Sequence, residues 1–282
     1  MNGSMSLARR GALSLAVCAL LAGCASAGSG TESPAPAPAP AVQAADSAAA
    51  ATGAARSDLP PARRIVDRYV EALGGRAVIL SDSGSHTTGL FEVPAAGLAG
   101  QIDIYAAAPN LMLVKTDFPQ MGQVMSGFDG TTAWSIDPMQ GPMVLEGKQL
   151  EDTRIQADYY ARLHDASKFS SMETTGLVDF EGKQAYNVRL VRTNGDVIEE
   201  LFDPETGLLV GSVATRDTPM GPVTVTSVIG DYKRFGRQLV PTRVVQKVAG
   251  QEVVVTISAV SYDPVDRAVF ALPDPIKALT GK

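Results

Sequence analysis

The chain has 282 residues, 45% of them hydrophobic, with 24 Lys and Arg against 30 Asp and Glu for a formal net charge of −6. That balance, without any run of five or more basic residues, argues against nucleic acid, whose binding is driven by counterion release at clustered Lys and Arg, and against an electrostatic membrane partner. Both cysteines, Cys18 and Cys24, lie near the amino terminus, so the rest of the chain offers no disulfide, no cysteine zinc ligand and no thiol nucleophile.

The leader comes first. Arg9 and Arg10 precede an apolar run from Leu13 to Leu21, which leads into Leu21-Ala22-Gly23-Cys24. A basic start, a short apolar stretch and small residues before a cleavage point make a secretory signal. The run is about half the ~20 residues that a membrane-spanning helix needs. Its ending on cysteine resembles a bacterial lipobox. The resemblance implies that residues 1–23 are removed as a signal peptide and that the Cys24 thiol carries diacylglycerol. The new amino terminus would then take a further acyl chain such as palmitate. Two or more chains anchor stably where one binds only marginally. Ala25 rather than Asp after the cysteine implies the outer membrane, the domain facing the periplasm or displayed at the surface. Residues 24–57 then form a tether. From Ala25 to Arg56 the chain is almost all Ala, Pro, Gly and Ser, with alternating Pro and Ala from Pro34 to Pro40. Such a composition cannot offset its ordering entropy by apolar burial and is expected to stay disordered.

The folded domain is expected over residues 58–282, a length that suits one β-rich, monomeric unit. It opens with a helix, capped by Asp58, with Pro60 and Pro61 in its first turn and Gly74-Gly75 ending it. Ile65, Tyr69 and Leu73 recur every four residues and give it one apolar face. After Ser85 the period changes to two. Strands are expected at 86–93, 101–106, 111–117, 123–128, 132–136 and 142–145, then a helix at 148–163. Seven more strands follow, at 171–179, 184–192, 197–202, 208–215, 223–231, 239–249 and 252–262. Turn chemistry marks the junctions, as in Phe128-Asp129-Gly130, Asn194-Gly195 and Ala249-Gly250. Near-even spacing with tight turns predicts an antiparallel meander, since parallel pairing needs long crossovers and only one internal helix is available for them. In the last strand Val253, Val255, Ile257 and Ala259 point one way, while Val254, Thr256, Ser258, Val260 and Tyr262 point the other.

These elements carry recurring motifs. Phe128-Asp129-Gly130 through Trp134 to Asp137-Pro138 resembles the "DG…W…DP" hairpin of the LolA-like lipoprotein-sorting superfamily. Phe202-Asp203 to Gly207-Leu208, Asp231-Tyr232 with Gly236 and Pro241, and Val269-Phe270-Ala271-Leu272-Pro273 resemble its later motifs, so the likeness covers roughly residues 61 to 273. It implies a mainly β, α+β fold, an incompletely closed antiparallel half-barrel with two covering helices and an apolar cavity between them. It also implies binding of acyl chains or lipoproteins, with the lipid-anchored receptors LolB as the nearer analogue because of Cys24. No functional residue of the family maps onto a particular position here.

Catalysis finds little support in the residues. Two histidines, His86 and His164, are too few for a His-rich metal site, and no metal ligand set or cofactor beyond the lipid on Cys24 is expected. Asp82-Ser83-Gly84 reads as a turn before the first strand, and the pairs Glu151-Asp152 and Glu199-Glu200 read as solvated faces. The protein is therefore expected not to be an enzyme. Ile65, Tyr69 and Leu73 line either a cavity or a packed core. Met121, Met139, Met143 and Met220 stand at or beside turns, and Leu98 sits in an apolar hairpin tip; these are candidates for a lip that opens onto an acyl-binding cavity. The alternative is an anchored scaffold or sensor whose packed barrel binds protein or envelope polymer.

Overall fold

The computed structural model describes residues 58–218 and 221–281, so Cys24, the tether and Met220 lie outside the described residues. The first helix, α1 (Ala62–Ala72), starts after Pro61 and has no side-chain cap, so Asp58 does not serve as its N-cap. Pro61 stands at the cap position in extended conformation, and its carbonyl accepts from the Arg64 and Ile65 amides. Gly74 and Gly75, both at positive φ, end the helix. A short α2 (Arg76–Ser81) follows that the periodicity does not show.

Thirteen strands then run in one sheet: β1 (Gly84–Val93), β2 (Leu98–Ala107), β3 (Leu111–Phe118), β4 (Gly122–Phe128), β5 (Ala133–Asp137), β6 (Gly141–Leu145), β7 (Phe169–Phe180), β8 (Lys183–Arg192), β9 (Val197–Phe202), β10 (Leu209–Thr218), β11 (Gly221–Phe235), β12 (Gln238–Val248) and β13 (Gln251–Ser261). Each corresponds to an expected strand, and every pairing is antiparallel. The spatial order is β6-β5-β4-β3-β2-β1-β13-β12-β11-β10-β9-β8-β7, so two meanders join through β1 and β13. The edge strands β6 and β7 are consecutive in sequence yet stand at opposite ends of the sheet. The chain between them, with α3 (Gly147–Gln156), crosses the open side as a cover. The helix expected at 148–163 stops at Gln156; beyond Asp158 the backbone tightens into 3-10 turns at 161–163 and 166–168. The result is an open antiparallel half-barrel with few helices.

Register places Glu200, Ser212, Ser227, Gln246 and Val253 in one row on the inner face. At one end of that face, Phe91, Val93, Ile102, Val114 and Phe128 pack beneath Leu150 and Ala157 of the cover. At the other, Val188, Leu190 and Phe202 pack beneath Ile65, Val66 and Tyr69 of α1 and Leu73 just past its end. On the outer face, Trp134 and Leu113 are sealed by Phe270, Leu272 and Ile276, the last from α4 (Asp274–Thr280), a second helix not read from the sequence. A bulge interrupts the alternation expected in β13: Gly89 faces Ile257, but Thr88 faces Ala259. It brings Val260 opposite Thr87 and onto the inner face, instead of continuing the outward set of Val254 and Thr256.

Candidate functional site

The cover is fastened to its surroundings by polar contacts as well as by the buried Ala157 and Leu163. The Tyr159 amide donates to the Pro109 carbonyl at 3.0 Å. Arg162 donates to Gln238 Oε1 at 2.8 Å, and Gln238 Nε2 donates in turn to Asp82 Oδ2 at 2.7 Å. Arg63 of α1 donates to the His164 carbonyl at 2.9 Å. His164, at φ 47, is buried where the cover, α1 and β9 meet. Its Nε2 lies 2.7 Å from Glu200 Oε2, its Nδ1 lies 3.1 Å from the Arg162 carbonyl, and its ring stacks on Phe169. Burial opposes charge on this imidazole, but Glu200 outweighs it and holds the pKa above the ordinary histidine value. Burial raises the Tyr69 and Tyr232 phenols far above their usual range and the Tyr159 phenol to about 12, so all three stay neutral. Glu200 thus departs from the solvated reading of Glu199-Glu200. The two do face opposite sides, but the Glu200 side chain is only 14% exposed and is tied to a histidine.

Beside α3 runs a groove of about 370 Å³, walled by Glu151, Arg154, Ile155 and Asp158 on one side and Arg192, Thr193 and Asn194 on the other. Across Ile155 a narrower cleft of about 70 Å³ is lined by Lys148, Asp152, Asp196 and Ala214. Arg192 borders both. Its guanidinium centre lies 5.4 Å from the centroid of the Phe169 ring, and burial keeps its pKa below the usual guanidinium value. Most residues that line the two recesses are polar or charged, but their apolar atoms make up the larger part of the exposed lining. Among the described residues, no three metal-ligating side chains cluster.

Ile65, Tyr69 and Leu73 come together, buried against the sheet. Leu98 and Met121 are half-buried at the edge of the opposite core, and Met139 is 82% exposed. Met143 lies within β6. Strand alternation puts the β1–β2, β3–β4 and β5–β6 connections on one rim. The residues that sequence reasoning missed are Arg192, His164 as a latch, Glu200 and Gln238. None forms a local motif, because the cover and the sheet assemble them from distant segments.

No protein-family model and no curated protein matches the sequence. Solved structures do match by shape. A LolA superfamily protein from Nitrosomonas europaea aligns over 76% of this chain and 99% of its own, with a TM-score of 0.53 and 12% identity. A DUF1329 family protein from Desulfovibrio piger aligns over 76% and 98%, with a TM-score of 0.54 and 12% identity. One sheet of antiparallel strands, left open and crossed by a helical cover, is in this chain a LolA-like fold.

Proposed function

We propose that the protein is an outer-membrane lipoprotein, anchored by the lipid on Cys24, whose half-barrel takes acyl chains or a lipidated partner against its inner face without catalysing a reaction. One observation carries this reading: the sheet presents a continuous inner face whose two apolar ends are covered by separate helices, and the cover between them is held by polar contacts together with a few apolar side chains, Leu150, Ala157 and Leu163. Each such hydrogen bond contributes about 0.5–1.5 kcal/mol net, and in this reading the cover parts from the sheet to admit a ligand. The LolA-like fold supports the reading, and the lipobox supports the anchor. A cover that parts from the inner face exposes a concave apolar surface, which is what a ligand with a hydrocarbon tail requires.

The test is mass spectrometry of lipids extracted by organic solvent from the full chain purified in mild detergent; covalent lipid on Cys24 stays with the protein. Acyl lipids at near one per chain, displaced by a fluorescent fatty acid, are the expected result. No bound lipid and no uptake would overturn acyl binding. A second reading, a packed half-barrel that binds protein, is favoured by the charged walls of the groove beside α3.

A further inference from the structure

The groove beside α3 holds an imbalance of partners. Its carboxylates, and those just behind it, are committed: Asp158 to Lys168, Glu151 to Asn194 at 2.9 Å, Asp196 to Lys148 at 2.7 Å, and Glu200 to His164 at 2.7 Å. The Arg154 and Arg192 guanidinium groups, on opposite walls, make no hydrogen bond or ion pair among the described residues. Arg154 is exposed on α3, whereas Arg192 is half-buried over the Phe169 ring. A guanidinium stacked on a ring face keeps its in-plane N–H edge for an acceptor, and a desolvated guanidinium without an acceptor is costly. Among the described residues none supplies an acceptor here. Glu200, Asp196 and Asp158 favour its charge from a distance without hydrogen-bonding to it.

We infer that the groove between α3 and the β8–β9 hairpin is a binding site for a singly or doubly charged oxyanion, a phosphate or carboxylate, held bidentately by Arg192 and from the opposite wall by Arg154. A planar fork matches two oxygens of such a group, and charge-assisted pairs of this kind are roughly twice as strong as neutral ones. The volume of about 370 Å³ suits a head group rather than a whole lipid. The Asn194 side chain and the Lys168 ammonium are already engaged, which leaves the two arginines to set the preference for negative charge.

This site does not depend on the acyl-binding reading, and the experiment separates the two. The full chain in detergent is titrated calorimetrically with inorganic phosphate and, separately, with dihexanoyl phosphatidic acid below its micellar concentration. Saturable binding of either, weakened at least about tenfold by Arg192→Gln, is the expected result. Phosphate alone would identify a free anion as the ligand, and a clear preference for the short lipid would identify a head group. Arg192→Lys keeps the charge over Phe169 but loses the fork, and is expected to bind more weakly than the native protein. Arg154→Gln, on an exposed helix face, serves as the variant that does not threaten folding and is also expected to weaken binding. If neither probe binds, or if both bind the Arg192→Gln and Arg154→Gln variants as well as the native protein, the inference is overturned, whatever the lipid analysis gives.

Discussion

His164 sits between two oxygens: its Nε2 lies 2.7 Å from the Glu200 carboxylate and its Nδ1 lies 3.1 Å from the Arg162 carbonyl. A neutral imidazole has one N–H and one lone pair, so it satisfies one of these contacts and sets a lone pair against an oxygen in the other. The arrangement therefore needs a proton beyond the neutral ring, carried as imidazolium against carboxylate. The pair joins the cover to β9, beneath α1, in a place nearly closed to water.

That geometry sets a pH dependence. Because the folded pKa of His164 is raised above about 6.5, the stabilisation is fully present below that value and is lost as pH rises through the folded value. Each unit of elevation is worth about 1.4 kcal/mol. Tyr69 stays neutral and Arg192 stays charged in this window, so the change belongs to the pair. Urea denaturation should show stability falling from mildly acidic to mildly alkaline pH. Glu200→Gln should flatten that part of the slope, since an amide N–H matches the lone pair of a neutral ring. An unchanged slope in the variant would show that the pair does not carry the dependence.

Gly127 has no room for a side chain. It pairs across the sheet with Trp134, and a Cβ there would sit 2.8 Å from the indole Cζ2 and 3.0 Å from the Met112 carbonyl oxygen. Gly127→Ala should destabilise by about 1–3 kcal/mol, the usual cost of forcing atoms into a packed site. Trp134, the single tryptophan, reports the unfolding curve by fluorescence. A midpoint equal to that of the native protein would show that the indole yields freely.

The strands were legible because each signal was local: alternation within a segment, then Gly, Asn or Asp at the turn, as at Asn194-Gly195 between β8 and β9. The misses have physical reasons as well. α2 has only six residues, too few for a periodic pattern to show. The helix read to Leu163 ends early because the cover turns to follow its partners, with His164 in the left-handed region. The β13 alternation fails beyond a bulge that only the pairing with β1 reveals. At the site, Arg162, His164, Arg192 and Glu200 come from three separate elements, and no spacing along the chain announces their meeting.

The carboxyl-terminal helix offers a paired comparison. Ile276 is fully buried against the outer face beside Trp134, whereas Leu279, three residues on, is 56% exposed. Ile276→Ala should cost about 2–5 kcal/mol through lost burial and a cavity, while Leu279→Ala should stay within about 0.5 kcal/mol. Urea midpoints of the two variants check this. Equal small effects would mean that α4 frays from the sheet and contributes little to the fold.

Gln238 is the buried link in a chain of three side chains. Its Oε1 accepts from Arg162 of the cover, and its Nε2 donates to Asp82, which directly follows α2. A primary amide offers a donor and an acceptor at that reach, so it neutralises neither partner but satisfies both. Gln238→Leu keeps much of the volume and removes both contacts at once. Asp82 keeps its ion pair with Arg237 at 3.7 Å, so the variant should destabilise by about 1–3 kcal/mol in all, and hydrogen exchange should quicken across residues 157–168 before it quickens in β12. Gln238→Glu separates volume from charge. The carboxylate still accepts from Arg162 but meets Asp82 as a like charge, so the penalty should be larger near neutral pH than in mild acid, where protonation restores a donor. A penalty independent of pH would place the cost in packing rather than in this relay.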